Sequence, residues 1–282
     1  MDDEFHYYIT FIIALTAGFD HRQAYRIAYS SQYVDDNTRQ YTIHGGSEGP
    51  YRNYITQTPD IFKPQEDLMR IHPVFHFMPG DSNELHGDLC RRQDGKLHLL
   101  NTIAGNSHST ILLQSALASG NDYLAGIATH VFADTFSHQN FVGYKDSFNG
   151  MDSLFAKIAP SIGHLDAQHR PDWPAAVWDD CRLVTSHRKV RNRDRVIDAS
   201  KALYNAYASV AGTMDEGTGA GLVDRITKAL GPDDPSNDRR HERIDRYRAL
   251  IGPAYRPYDK DEWRAAAVTT TLAGPVPPQD DY

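Results

Sequence analysis

In the stretch Thr129-His130-Val131-Phe132-Ala133-Asp134-Thr135-Phe136-Ser137-His138, two histidines and an aspartate recur at four-residue steps. On an α-helix each such step turns about 40° past a full rotation and rises about 6 Å, so the three side chains form one slowly drifting stripe. Leu124, Ile127, Val131 and Phe132 beside it are apolar, which marks a helix buried over most of its circumference. Buried imidazole and carboxylate need partners, because an unpaired polar group in an apolar interior is costly. A divalent cation satisfies all three.

Other histidines and carboxylates also lie beside apolar residues: His6, the pair in Tyr33-Val34-Asp35-Asp36, His76 between Phe75 and Phe77, and Gly163-His164-Leu165-Asp166 with Gln168 and His169 behind. Nitrogen and oxygen donors without thiolate suit zinc, or manganese or iron. Each has an ordinary reading too. His6 and His76 fit hydrogen-bonded core imidazoles, Asp35 and Asp36 fit helix-end carboxylates bonding backbone amides, and Asp166 and His169 fit a solvated loop. The stripe has no such ordinary explanation, and the metal expectation rests on it.

The elements that must position these residues are helical. Periodicity predicts helices over 3–18, from an Asp20 cap to about Val34, 65–71, 101–119, from an Asn121 cap to 138, 151–159, 175–187, 192–212, 217–230, 237–250 and near 259–268. Residues 35–64, 81–98, 140–150 and 160–174 read as loops, with a small hairpin at Gln93-Asp94-Gly95-Lys96. The chain reads as all-α with long functional loops. One domain is expected over 1–252, followed by a partly irregular extension over 253–282 that ends in a Pro-rich tail.

Bulk composition sets the limits. The chain has 282 residues, 40% apolar and 23% charged, ordinary for a globular protein. A formal charge of −8 argues against a nucleic-acid-coating surface, and the short basic run Arg188–Arg193 reads as a solvated face. Cys90 and Cys181 form no CxxC pair, so neither a disulfide scaffold nor a zinc–thiolate site is indicated. The acidic start Met1-Asp2-Asp3-Glu4 is unlike a secretory signal. The apolar run from Ile9 to Phe19 is shorter than a membrane span. A cytoplasmic protein without a transmembrane segment is expected.

His130-x3-Asp134-x3-His138 resembles the signature helix of the zinc-dependent phospholipase C family, shared in variant form with fungal single-strand nucleases. The wider pattern comprises His6-Tyr7-Tyr8, Gln32-Tyr33-Val34-Asp35-Asp36, Phe75-His76-Phe77, Gly105-Asn106-Ser107 and Asp134 to Phe141. It is similar to an uncharacterised bacterial domain family related to those enzymes, over about residues 4–210. The resemblance implies a multi-helix bundle holding one to three zinc ions, with an aspartate bridging two of them. His130, Asp134, His76 and one of Asp35 and Asp36 would share one ion, Asp134 and His6 a second, and His138, His164 and Asp166 a third. Tyr7, Ser107 and His108 would line the substrate pocket. In the phospholipases the N-terminal amine completes one metal site; here five residues precede His6, so the second metal is expected to be missing or to be completed by another group.

The function so implied is metal-assisted hydrolysis, foremost of a phosphodiester in a phospholipid, nucleotide or related phosphoester. Whichever of Asp35 and Asp36 is not a ligand would serve as general base. Arg39, Arg52 or Arg70 would steady an anionic group, and Tyr7, Tyr8, Tyr33, Phe75 and Phe77 would supply walls. Two alternatives stand beside it: hydrolysis of an amide, ester or lactam in a small molecule, and a non-catalytic helical protein with a structural metal. The expected partner is a small-molecule or phosphoester substrate, with no stable nucleic-acid complex.

Overall fold

Polar caps start the helices that carry the stripe and its neighbours. In the computed structural model, which describes residues 1–44, 49–58, 60, 65–88, 91–151 and 162–267, the chain opens with a π-helical segment, Glu4–Ile9, that continues as the α-helix Thr10–Thr16; the two together form α1. Helix α2 (His21–Asp36) begins at Asp20. The Asp20 carboxylate accepts from the amides of Arg22 and Gln23, while the Gln23 side chain reaches back to the Asp20 amide, a capping box. Asn121 caps α7 (Asp122–Ser137) by accepting from the amides of Tyr123 and Leu124.

A two-stranded ribbon, β1 (Thr42–Ile43) with β2 (Tyr51–Arg52), and the short helices α3 (Gln65–Met69), α4 (His72–Phe75) and α5 (Ser82–Asp88) follow α2. Helix α6 (Ser107–Ala118) starts later than its sequence pattern suggests. Asn106 is its cap, accepting from the Ser109 amide, and the residues from 101 to 106 form bridges and turns instead. Beyond α7 come β3 (Val177–Asp179), α8 (Thr185–Arg188), β4 (Lys189–Arg191), α9 (Asn192–Ala211), α10 (Glu216–Leu230), α11 (Arg240–Ile251) and α12 (Glu262–Ala267).

The fold is mostly helical, as expected, with local departures. The span 175–187 is not one helix: only its end, from Thr185, is helical. Val177–Asp179 pairs antiparallel with Lys189–Arg191, burying Trp178 and Val190 while their neighbours face outward, a period-2 pattern that a helical reading overlooks. Residues 82–88, read as loop, form α5. Gln93–Lys96 is a turn rather than a hairpin, and Arg92 before it bridges to Leu183. The helix expected over 151–159 and the tail beyond 267 lie outside the described residues, apart from Met151. No helix among the described residues is long and apolar enough to cross a membrane.

Helix α7 packs against α2, α6 and α9, and α1 packs against α2, α9 and α11. Phe5, Ile9, Ile13, Ile27, Leu113, Phe132, Leu203, Tyr207, Leu222 and Tyr247 fill the shared core, each large side chain contributing about 1.5–3 kcal/mol through burial. Within this apolar mass lies a buried ion network. The Arg243 guanidinium donates to both Glu4 oxygens at 2.8 and 2.9 Å and to Asp234 Oδ2 at 2.6 Å, fastening α11 to the first turn of α1. After α11 the chain returns to the α1–α2 face. Tyr258 packs 5.5 Å from Tyr7 and 5.4 Å from Tyr29 between ring centroids, and its hydroxyl donates to Asp36 Oδ2 at 2.8 Å.

The α2–α7 contact is close because Gly126 has no side chain: a Cβ there would collide with Ser30 Oγ and the Ile27 carbonyl. Gly126→Val should therefore force the two helices apart, costing about 1–3 kcal/mol as overpacked cores do. A thermal melt should fall by several degrees, and an unchanged melt would show that the interface can yield.

Candidate metal centre

The α2–α7 interface orients the first of the histidines. His130 Nδ1 lies 2.8 Å from the Ser31 carbonyl. A carbonyl only accepts, so Nδ1 carries the proton and Nε2 keeps its lone pair in the neutral ring. His76 is held the opposite way round: Nε2 donates to the Thr56 carbonyl at 2.9 Å, leaving the lone pair on Nδ1. These two lone-pair nitrogens face each other at 3.1 Å, and each is 3.2 Å from Asp134 Oδ2. While both rings are neutral, neither nitrogen carries a proton for the other or for the carboxylate. Donor atoms around one tetrahedral zinc, at about 2.0–2.1 Å from it, stand about 3.3 Å apart, so the residues present fit a cation at this point.

Asp35, at the end of α2, completes the group. Its Oδ1 is 3.8 Å from both His76 Nδ1 and His130 Nε2. The other oxygen of Asp134 turns elsewhere. Oδ1 lies 3.2 Å from His6 Nε2 and also accepts from the Met1 amine, which donates in addition to Ser137 Oγ at 3.0 Å. His6, His130 and Asp134 thus form a second donor group sharing residues with the first. The five residues ahead of His6 do not carry the amine away, because the Asp2 carbonyl accepts from the Phe5 and His6 amides and coils the start of the chain back onto α7.

A third group joins His138, His164 and Asp172. The rings are again oriented by carbonyls. His138 Nδ1 donates to the His76 carbonyl at 2.7 Å and His164 Nδ1 to the Gln168 carbonyl at 2.7 Å, so their Nε2 atoms face Asp172 at 3.0 and 3.3 Å. Backbone acceptors that set the tautomer of ligand histidines recur in metal sites. The groups border a cavity of about 400 Å³ whose apolar wall is Phe77, Ile162, Leu165 and Trp173.

Burial works on every charge here. Burial opposes ionisation of Asp134 and Asp172, yet the surrounding histidines and the Met1 amine hold both carboxyls well below the usual carboxylate range. Asp35 goes the other way: burial and the charge of Asp134 push it up to about 7 against the pull of His76. Burial, then the charges of His130 and the amine, push His6 down. Burial and neighbouring imidazoles bring His72 down to about 3.

Of the residues singled out from sequence, His6, Asp35, His76, His130, Asp134, His138 and His164 converge. Asp36 does not; it accepts from Gln32 Nε2 at 3.1 Å and from Tyr258. Consecutive helix residues point about 100° apart, so only one of the pair can face the cluster. Asp166 accepts from the Met151 amide, and the carboxylate beside His138 and His164 is Asp172. Sequence reading passed over Asp172; its signal is a carboxylate eight residues beyond His164 and next to Trp173. Tyr7 is a core residue whose hydroxyl donates to the Arg256 carbonyl. The Ser107 amide donates to Glu84 Oε1 at 2.8 Å and exposed His108 bonds the Pro79 carbonyl, neither bordering the cavity. Among the described residues no arginine or lysine lines it: Arg39 borders a separate cleft with Tyr33 and Trp263.

A family model described as a family of unknown function (DUF6765) matches residues 1–274. No curated protein and no solved structure matches the chain.

Two outcomes test the centre. Asp134→Asn should strip most of the bound divalent ion measured by elemental analysis, whereas Asp36→Asn should leave the metal count unchanged; equal loss from both would refute the assignment. The second concerns pH. In the metal-free fold Asp35 keeps a proton up to about pH 7 that the unfolded chain, with an ordinary value of 3.8, releases earlier. The stability Asp35 contributes is then full below that ordinary value and is lost as pH rises through about 7. A bound cation displaces this proton, so added Zn²⁺ should raise the melting temperature more at pH 7.5 than at pH 5.5. A gain independent of pH would count against Asp35 as a ligand.

Proposed function

The chain belongs to that family of unknown function, DUF6765, so we infer its activity from the site itself: a metal-dependent hydrolase acting on a phosphodiester. The observation that carries this reading is the division of the Asp134 carboxylate, Oδ2 toward His76 and His130 and Oδ1 toward His6, at the floor of a cavity large enough for a small substrate. One carboxylate serving two adjoining donor groups suits a bridge between paired ions. Zinc, with manganese or iron as alternatives, would supply Lewis acidity and an activated water when bound, and paired ions also clamp the oxygens of an in-line displacement. The resemblance of the His130–His138 helix to zinc-dependent phospholipases and single-strand nucleases supports the same chemistry.

The chain's own residues divide the remaining work. Asp35 borders the cavity beside His76 and His130, where it would serve as a ligand of the cation and not as the general base expected of this pair. Asp36, engaged by Gln32 and Tyr258, is relieved of that role. Phe77, Ile162 and Trp173 exclude water from one side of the cavity and accept the apolar part of a substrate.

One observation favours a second reading. The absence of arginine and lysine from the described cavity lining suits an uncharged amide, ester or lactam as well as a phosphodiester. Assays of the metal-loaded protein against bis-p-nitrophenyl phosphate, phospholipid, single-stranded DNA and an ester panel, with and without chelator, separate them. Chelator-sensitive phosphodiester cleavage, reduced on the order of 100-fold or more in Asp134→Asn, is the expected result. Ester cleavage alone would transfer the assignment to the second reading, and no cleavage by a metal-replete protein would leave a structural metal.

A further inference from the structure

Two polar groups in the cavity wall have no task in the metal centre. His72 is 8% exposed and borders the cavity, yet neither of its ring nitrogens has a hydrogen-bond partner among the described residues; Nε2 is shut off from the cavity, so Nδ1 is the nitrogen that a cavity ligand can reach. A largely buried imidazole with no acceptor for its N–H calls for an explanation. Gln57 lines the same cavity; its Oε1 accepts from the Thr58 amide at 2.9 Å while Nε2 has no partner among the described residues.

Both groups flank the same ligand. His72 stands one helical turn before His76 on α4, its carbonyl accepting from the His76 amide at 2.9 Å. Gln57 follows Thr56, whose carbonyl holds His76 Nε2. Neither belongs to the three donor groups, and the His72 and His76 ring centroids are 6.1 Å apart. With no arginine or lysine in the described lining, a tetrahedral oxyanion at the centre would meet neutral donors on this side. An imidazole N–H and a primary amide offer them.

We propose that His72 and Gln57 form a neutral oxyanion-binding pair that holds the non-bridging oxygens of a phosphoryl group beside His76. The proposal rests on the phosphodiester reading and names the residues that recognise that substrate class at the site.

Inorganic phosphate is the probe, titrated calorimetrically into the zinc-loaded full chain. His72→Phe and Gln57→Leu should each retain the wild-type zinc content while weakening phosphate binding about tenfold, and His72→Asn, which keeps a neutral donor, should recover part of that loss. In the wild type, phosphate should also move the His72 imidazole ¹⁵N resonances, a readout that stands if a variant fails to fold. Unchanged phosphate affinity in both variants, or a His72 resonance indifferent to phosphate, overturns the pair while leaving the hydrolase reading intact. Loss of zinc from His72→Phe overturns it as well, by making His72 a support of the metal. A wild type that holds zinc but takes up no phosphate removes the phosphodiester reading, and the pair with it.

Discussion

Everything in the site follows from two imidazole lone pairs forced to face one another. Ser31 and Thr56 each commit a backbone carbonyl to the far nitrogen of a histidine, so His130 Nε2 and His76 Nδ1 meet at 3.1 Å, each 3.2 Å from the same carboxylate oxygen and, in the neutral rings, with no proton to share. A fold that only needed a hydrogen-bonded core would have turned one ring over. Holding three electron-rich atoms together in an apolar interior is unfavourable until a positive charge arrives. The backbone thus leaves this cluster able to hold a cation, which the residue types alone do not ensure.

Keeping that arrangement shapes the surrounding helices. The Ser31 carbonyl can reach His130 only if α2 and α7 lie close, which Gly126 permits. His138 is oriented by the carbonyl of His76, itself a member of the cluster, so an error in seating α4 would propagate to the third donor group. The centre is a set of mutually dependent tautomers, and each is fixed by backbone from a different element.

The parts legible in the sequence were those governed by short-range periodicity. The four-residue spacing of His130, Asp134 and His138 needs nothing beyond helix geometry, and the Asp20 and Asn121 caps announced α2 and α7. The chemistry of His6, Asp35, His76 and His164 was readable by type, and their convergence came from the family likeness. What escaped depends on direction or on long-range contact. Asp35 and Asp36 are identical as letters, and only the rotation of α2 against Tyr258 separates them. Asp172 sits in irregular backbone, where no period marks the inward face. Gly105-Asn106-Ser107, part of the family-like pattern, caps a helix: Asn106 Oδ1 accepts from the Ser109 amide while Nδ2 donates to the carbonyls of Met78 and Ile103, locking the turn before α6. Residues 175–187 were apolar enough for a helix, but Trp178 and Val190 found burial across a two-stranded ribbon.

The Arg243–Glu4 pair has a bearing on how the protein is made. Glu4 lies at the start of the turn that carries His6, and its guanidinium partner is 239 positions later in the chain. At synthesis rates of roughly 5–20 residues per second, the nascent N-terminal turn waits on the order of 10–50 s for α11 to emerge. Until then Glu4 lacks the counter-charge that its burial in the folded state requires, so docking of this turn is favoured only once α11 is available.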